Sequence, residues 1–108
     1  MRRGDLITVA LQGDFGKPRP ALVIQVDRFP DLPTLTVLPV SSVLQDAPLL
    51  RVTVLPTAEN GLKKPSQIMV DKVATIMRHK AGAPFGHVDA QTLQEVERCL
   101  AVFFEIAE

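Results

Sequence analysis

A chain of 108 residues with 46% hydrophobic content has the size and composition of one globular domain with a modest core. Its formal net charge is zero, which gives no overall pull towards nucleic acid, and the single Cys99 excludes an internal disulfide and a cysteine-based metal cluster. No apolar run approaches the ~20 residues needed to cross a bilayer, and Met1 to Asp5 shows no signal-peptide pattern, so a cytoplasmic protein is expected.

Gly4-Asp5 opens a first predicted strand, Leu6 to Leu11, rich in β-branched and aliphatic residues. A glycine-bearing loop, Gln12 to Pro18, follows it. Arg19 stands between Pro18 and Pro20, whose rings fix φ and push Arg19 into an extended conformation. A guanidinium on so stiff a segment is placed to meet an anion at a repeatable position. The second strand, Ala21 to Val26, is nearly all apolar and is expected to be central and covered on both faces.

Thr34 to Val40 makes a third strand, which Pro39 should end, bulge or send to an edge because it has no N–H for a ladder. Ser41 and Ser42 follow directly. Leu50 to Leu55 is the fourth strand and Ser66 to Asp71 the fifth, separated by a turn-rich stretch with Glu-Asn-Gly and Lys-Lys-Pro. Lys72 to Met77 reads equally as a helical turn or a strand. Phe85 to Val88 is a last short strand. Asp89 is placed as the N-cap of an amphipathic helix whose Leu93, Val96, Leu100, Phe103 and Ala107 share one face. Strands followed by one helix predict a mainly β fold, a small curved barrel of antiparallel strands with a C-terminal helix, as a single domain over residues 1–108. With neither Trp nor Tyr in the chain, aromatic packing would rest on five Phe.

Charge is unevenly spread. Residues 1–88 carry a surplus of +4 and residues 89–108 a deficit of −4, which allows an electropositive groove on a neutral protein.

Three stretches together resemble the MazF/PemK toxins of bacterial toxin–antitoxin pairs: Arg3-Gly4-Asp5 before a strand, Gly16-Lys17-Pro18-Arg19-Pro20-Ala21, and Val37-Leu38-Pro39-Val40-Ser41-Ser42. Asp71 to Ile76 and the Asp89 helix fit the same pattern. The resemblance spans nearly the whole chain and is thinnest between Val43 and Pro65. It implies an SH3-like barrel, a homodimer, and a metal-independent endoribonuclease without cofactors. Such an enzyme is sequence-specific, cutting single-stranded RNA at short sequences to a 2′,3′-cyclic phosphate and a 5′-hydroxyl, and its partner is an antitoxin with an acidic segment.

The resemblance also implies roles. Arg19 would stabilise charge on the phosphorane, its fork matching two phosphate oxygens. Ser41, with Ser42 beside it, would donate to a non-bridging oxygen, although a serine pair after Pro39 also suits a turn cap. Asp71 would approach the ribose 2′-OH, or else cap a helical turn. Lys17, Arg28, Arg51, Lys63, Lys64 and Arg78 are candidates for phosphate contacts, and Phe15 for stacking on a base. Met69, where some relatives carry a basic residue, is counted with the RNA-facing positions; Ala74 is a second departure from the family pattern. His79 and His87 lie outside every matched stretch. Two alternatives share the fold: a CcdB-type gyrase poison, whose C-terminal tryptophan this chain lacks, and an inactive binding module.

Overall fold

The structure is a computed structural model that describes residues 1–10 and 17–106. Seven strands form one strongly curled, mainly antiparallel sheet: β1 (Asp5–Ala10), β2 (Pro18–Val23), β3 (Thr34–Ser41), β4 (Arg51–Val54), β5 (Ser66–Met69), β6 (Ala74–Met77) and β7 (Gly86–His87), followed by α1 (Ala90–Phe103). Along the sheet the order is β4-β5-β3-β2-β1-β7, with β6 also paired to β3. β4 and β7 are its two ends, so the barrel is half-open.

The second strand starts at Pro18, not Ala21, and ends three residues before Val26. Two prolines fit a strand here because residues two apart direct their backbone groups the same way. Arg19 is opposite Val9 and Ala21 opposite Ile7 on β1, whereas pairing with β3 begins only at Ala21. The missing donors of Pro18 and Pro20 therefore face a stretch with no neighbouring ladder among the described residues. The stiff segment carrying Arg19 is part of the sheet rather than a loop.

Pro39 does not end β3. The strand pairs with β6 from Thr34 to Val37, then with β5 at Val40 and Ser41. Pro39 lies at the change of partner, where no donor is required. Lys72 to Met77 takes both of its predicted forms in turn: a 3-10 turn over Val70–Lys72, then β6.

Apolar side chains pack in two clusters. Leu6, Leu22 and Leu38 stand in register across three strands, and join Val52, Ile68, Val70 and Val96 of the helix. Ile7, Val9, Ala21, Val23, Leu35 and Val37 form the second cluster. Ala21, Leu22 and Val23 are all buried, so the C-terminal half of β2 is covered on both faces as expected. Among the described residues the core is aliphatic: Phe29, Phe85, Phe103 and Phe104 are all exposed, and the aromatic packing is an edge-to-face pair of Phe103 and Phe104, with ring centroids 5.3 Å apart, at the surface. Phe103 thus leaves the predicted apolar face of α1, Leu93, Val96 and Leu100 keep it, and Cys99 joins them against the core. Burial pushes the half-buried Cys99 thiol up, with Glu95 adding to the effect. Ala107 lies outside the described residues.

The helix starts as its sequence demands. The Asp89 carboxylate accepts from the Thr92 N–H at 2.8 Å. Arg3 ties this helix to the sheet, donating to the Ile24 carbonyl and to Glu97, whose Oε2 is 2.6 Å away.

Candidate functional site

A groove of about 1160 Å³ is lined by residues of β1, β2, β3, β5 and β6 and the segments that join them. Arg19 and Pro20 from β2, Ser41 from the end of β3 and the adjoining Ser42 line it, with Met69, Ala74 and Thr75. Lys63 and Lys64 come from the loop between β4 and β5, Lys72 from the 3-10 turn, and Lys80 from the segment after β6. Five cationic side chains therefore face the groove, and no Asp, Glu or His is among the described residues that line it. A neutral chain has concentrated one sign of charge in one concavity, where low-dielectric walls strengthen the field on an anion. Among the described residues, no three His, Cys, Asp or Glu side chains come together as a metal-ligand set.

The groove wall bearing Lys63 and Lys64 is fixed from beneath by Asn60, which is buried. Its Oδ1 accepts from the N–H groups of Thr57 and Leu62 at 3.0 and 2.9 Å, and its Nδ2 donates to the Leu55 carbonyl at 2.9 Å. The backbone of Gly86 lies against this loop so closely that a Cβ there would be 2.3 Å from the Asn60 carbonyl oxygen. Only glycine permits that approach.

Ser41 is placed to do two things. Its Oγ accepts from the Val43 N–H at 3.0 Å, a local turn that orients the side chain. That bond does not use the hydroxyl proton, which remains for an acceptor in the groove.

Of the residues singled out in the sequence, Arg19, Ser41, Ser42, Met69, Lys63 and Lys64 come together here. Asp71 and Arg51 do not line the groove. They face each other instead, with Nη1 and Oδ1 3.2 Å apart and side chains only 10% and 20% exposed. Both atoms are buried and neither has an aligned hydrogen-bond partner, so the pairing is Coulombic. Arg51 is opposite Met69 on β5, and Asp71 stands two residues beyond it, the diagonal reach across an antiparallel pair. Arg78 is used elsewhere too: its guanidinium donates to the Leu32 and Phe29 carbonyls and holds the loop between β2 and β3. Lys17 and Arg28 are exposed outside the lining, and Phe15 lies outside the described residues.

Sequence reasoning missed Lys72, Lys80, Thr8, Met77 and Phe85. Lys72 and Lys80 stand in the two short 3-10 turns that flank β6, within or just past the stretch whose conformation the sequence leaves open. A turn over Val70–Lys72 separates neighbours in the chain, sending Lys72 to the groove and Asp71 to Arg51.

The family model for PemK-like, MazF-like toxins of type II toxin–antitoxin systems matches residues 2–104. A Mycolicibacterium smegmatis protein named "Probable endoribonuclease MazF" is 43% identical over 108 residues, covering 99% of each chain. Among solved structures, the Mycobacterium tuberculosis toxin MazF-mt6 superposes with a TM-score of 0.82 at 24% identity, over 96% of this chain and 99% of that one. A MazE–MazF structure from Deinococcus radiodurans gives 0.79 at 24% identity, covering 99% and 97%. A mycobacterial endoribonuclease solved with its cognate antitoxin gives 0.83 at 16% identity, over 100% and 98%. At these identities the structures speak for the fold, and the fold agrees with the one built above from strand order and register. The matched model and the 43% relative carry the assignment: this chain belongs to the PemK-like, MazF-like toxins of type II toxin–antitoxin systems.

Proposed function

We propose that the protein is an endoribonuclease toxin that cuts single-stranded RNA without a metal ion. The observation that carries the reading is the groove: Arg19 and Ser41 among five cations, with no acid in the described lining. The named activity of the 43% relative supports it.

In this reaction the ribose 2′-oxygen attacks the adjacent phosphorus and loses its proton to a base. The bond from phosphorus to the 5′-oxygen breaks, and that oxygen takes up a proton. The products are a 2′,3′-cyclic phosphate and a 5′-hydroxyl. Arg19 holds two phosphate oxygens with its fork and offsets the charge that grows on them. The backbone of Arg19 is locked in a ladder opposite Val9, so its position costs little to establish at the moment of reaction. The Ser41 hydroxyl donates to a non-bridging oxygen, with Ser42 beside it. Met69 and Ala74, in place of basic residues, leave the electrostatic work to Arg19 and the lysines. Asp71 is a positioning residue in this reading: through Arg51 it fixes β4 against the turn that carries Lys72.

The same charge pattern suits a partner. An antitoxin with an acidic segment would occupy the basic groove and exclude RNA, and the half-open sheet, in which β4 is an end strand among the described residues, suits a homodimer. The cytoplasm is the compartment in which RNA and antitoxin would both be met.

The test is cleavage of a long single-stranded RNA in excess EDTA, wild type beside Arg19→Ala, with fragment ends mapped. Cutting to cyclic-phosphate ends, reduced at least ~100-fold by the substitution, is the expected result. Intact RNA incubated with folded wild-type protein would overturn the proposal and turn attention to a protein target such as gyrase.

A further inference from the structure

We propose that Phe85 is a base-stacking platform at the far end of the groove, holding a nucleotide other than the one cleaved; this rests on the ribonuclease reading above. All four described phenylalanines are exposed, but Phe85 alone among them lines the groove. It belongs to neither core cluster, so its ring is not there to fill the interior.

Its place is nevertheless fixed. The Phe85 N–H donates to the Leu6 carbonyl at 2.9 Å, continuing the ladder of β7 along β1. On its other side is Gly61, at φ +66°, where a Cβ would come within 2.8 Å of the Phe85 carbonyl oxygen and 3.1 Å of its ring. The ring thus rests against a bare backbone, and the residue is 39% exposed and lines the groove. A preset, half-exposed aromatic costs little entropy to use, and a lone aromatic flanked by cations is how single strands are held: bases on the ring, phosphates on the charges. Lys63 and Lys64 follow directly on the Gly61 loop, and Lys80 lines the same groove.

Separation from the cleavage end follows from strand register. Phe85 adjoins Leu6 on one side of β1, and Arg19 is opposite Val9 on the other. Two strand spacings across and three residues along put the two backbones on the order of 14 Å apart. The two positions are thus set apart along the groove, and the platform is assigned to a nucleotide other than the one whose phosphate Arg19 holds. Because every base has a π-face, this platform adds affinity and position with little sequence preference of its own.

The chain has no Trp or Tyr, so Phe85→Trp introduces a single intrinsic fluorophore at the platform. The probe is a mixed-sequence pool of 2′-O-methyl single-stranded oligonucleotides, which bind but cannot be cut, titrated at low salt. Tryptophan emission should be quenched on binding, and an abasic pool of the same length should bind without the quench. Phe85→Leu keeps an apolar side chain of similar size; it should melt as the wild type does and bind about tenfold more weakly by anisotropy. Oligonucleotide binding without quench, or with affinity unchanged in Phe85→Leu, overturns the platform and leaves the ribonuclease reading standing. Absence of any binding by the wild type overturns the ribonuclease reading, and the platform falls with it.

Discussion

Arg51 and Asp71 bring opposite charges into nearly dry surroundings and use them on each other. Removing one partner leaves the other charge buried and unmatched, which costs far more than the pair contributes. Asp71→Ala is expected to lower unfolding free energy by about 3 kcal/mol, measured by urea denaturation. The double change Arg51→Met with Asp71→Leu should recover most of that loss, because two apolar side chains carry no desolvation penalty. RNA cleavage per folded molecule should persist in the double variant, since neither side chain lines the groove and the apolar pair keeps β4 packed against the turn that carries Lys72. If cutting vanished while the fold held, Asp71 would return as the base for the 2′-OH. From sequence, an aspartate at a strand end beside a family motif reads the same whether it faces substrate or an arginine. What separates the two readings is the register that sets Arg51 opposite Met69, and register is a long-range property that composition does not record.

Helix α1 shows what an element owes to its first residue. The Asp89 carboxylate is held below its ordinary value of 3.8 by its hydrogen bonds with Thr92. A lowered folded value means that the unfolded chain binds the proton more readily, so this contribution to stability is complete above the ordinary value and disappears as pH falls through the lowered one. Asp89→Asn keeps a capping oxygen but cannot titrate. Its melting temperature should therefore differ from wild type at neutral pH, with the gap closing as the solution is taken below pH 3.8. Asp89→Ala should melt a few degrees lower than wild type near neutrality, because the Thr92 N–H loses its acceptor. Differential scanning of the three proteins across that acid range checks both statements. The cap and the helical spacing of Leu93, Val96 and Leu100 were legible in the sequence because both are local. The start of β2 was not. Pro18 and Pro20 usually argue against a strand, and only the absence of a β3 neighbour beyond Ala21 makes them acceptable. Pro39 carries the same lesson: it marks where β3 changes partner, an event that needs the curl of the whole sheet.

At the scale of the molecule, zero net charge hides a separation: the groove gathers Arg19, Lys63, Lys64, Lys72 and Lys80, while the acidic C-terminal surplus rides on α1 and beyond. The +4 and −4 imbalance along the chain hinted at this, but a linear count cannot say that five cations share one concavity with no described acid beside them. Separation of this kind has a thermodynamic signature. Each phosphate neutralised releases condensed counterions, so affinity for a single strand should fall with salt at a logarithmic slope of about −0.7 per contact. Five groove cations set a limit near −3.5 if all of them engage, and a dependence far steeper would require contacts outside the groove. Replacing Lys63 and Lys64 together by Gln should flatten the slope by about 1.4 and weaken binding similarly for all sequences. Arg98→Gln, on the exposed side of α1 and away from the groove, should leave the slope unchanged. Anisotropy titrations of a non-cleavable single strand over a range of salt concentrations measure all three slopes. An equal loss from Arg98→Gln would mean that RNA follows the overall surface of the protein rather than the groove. A loss confined to the lysine pair ties recognition to the loop that Asn60 holds in place, and an acidic antitoxin segment competing for that loop should show the same dependence on salt and on the same two lysines.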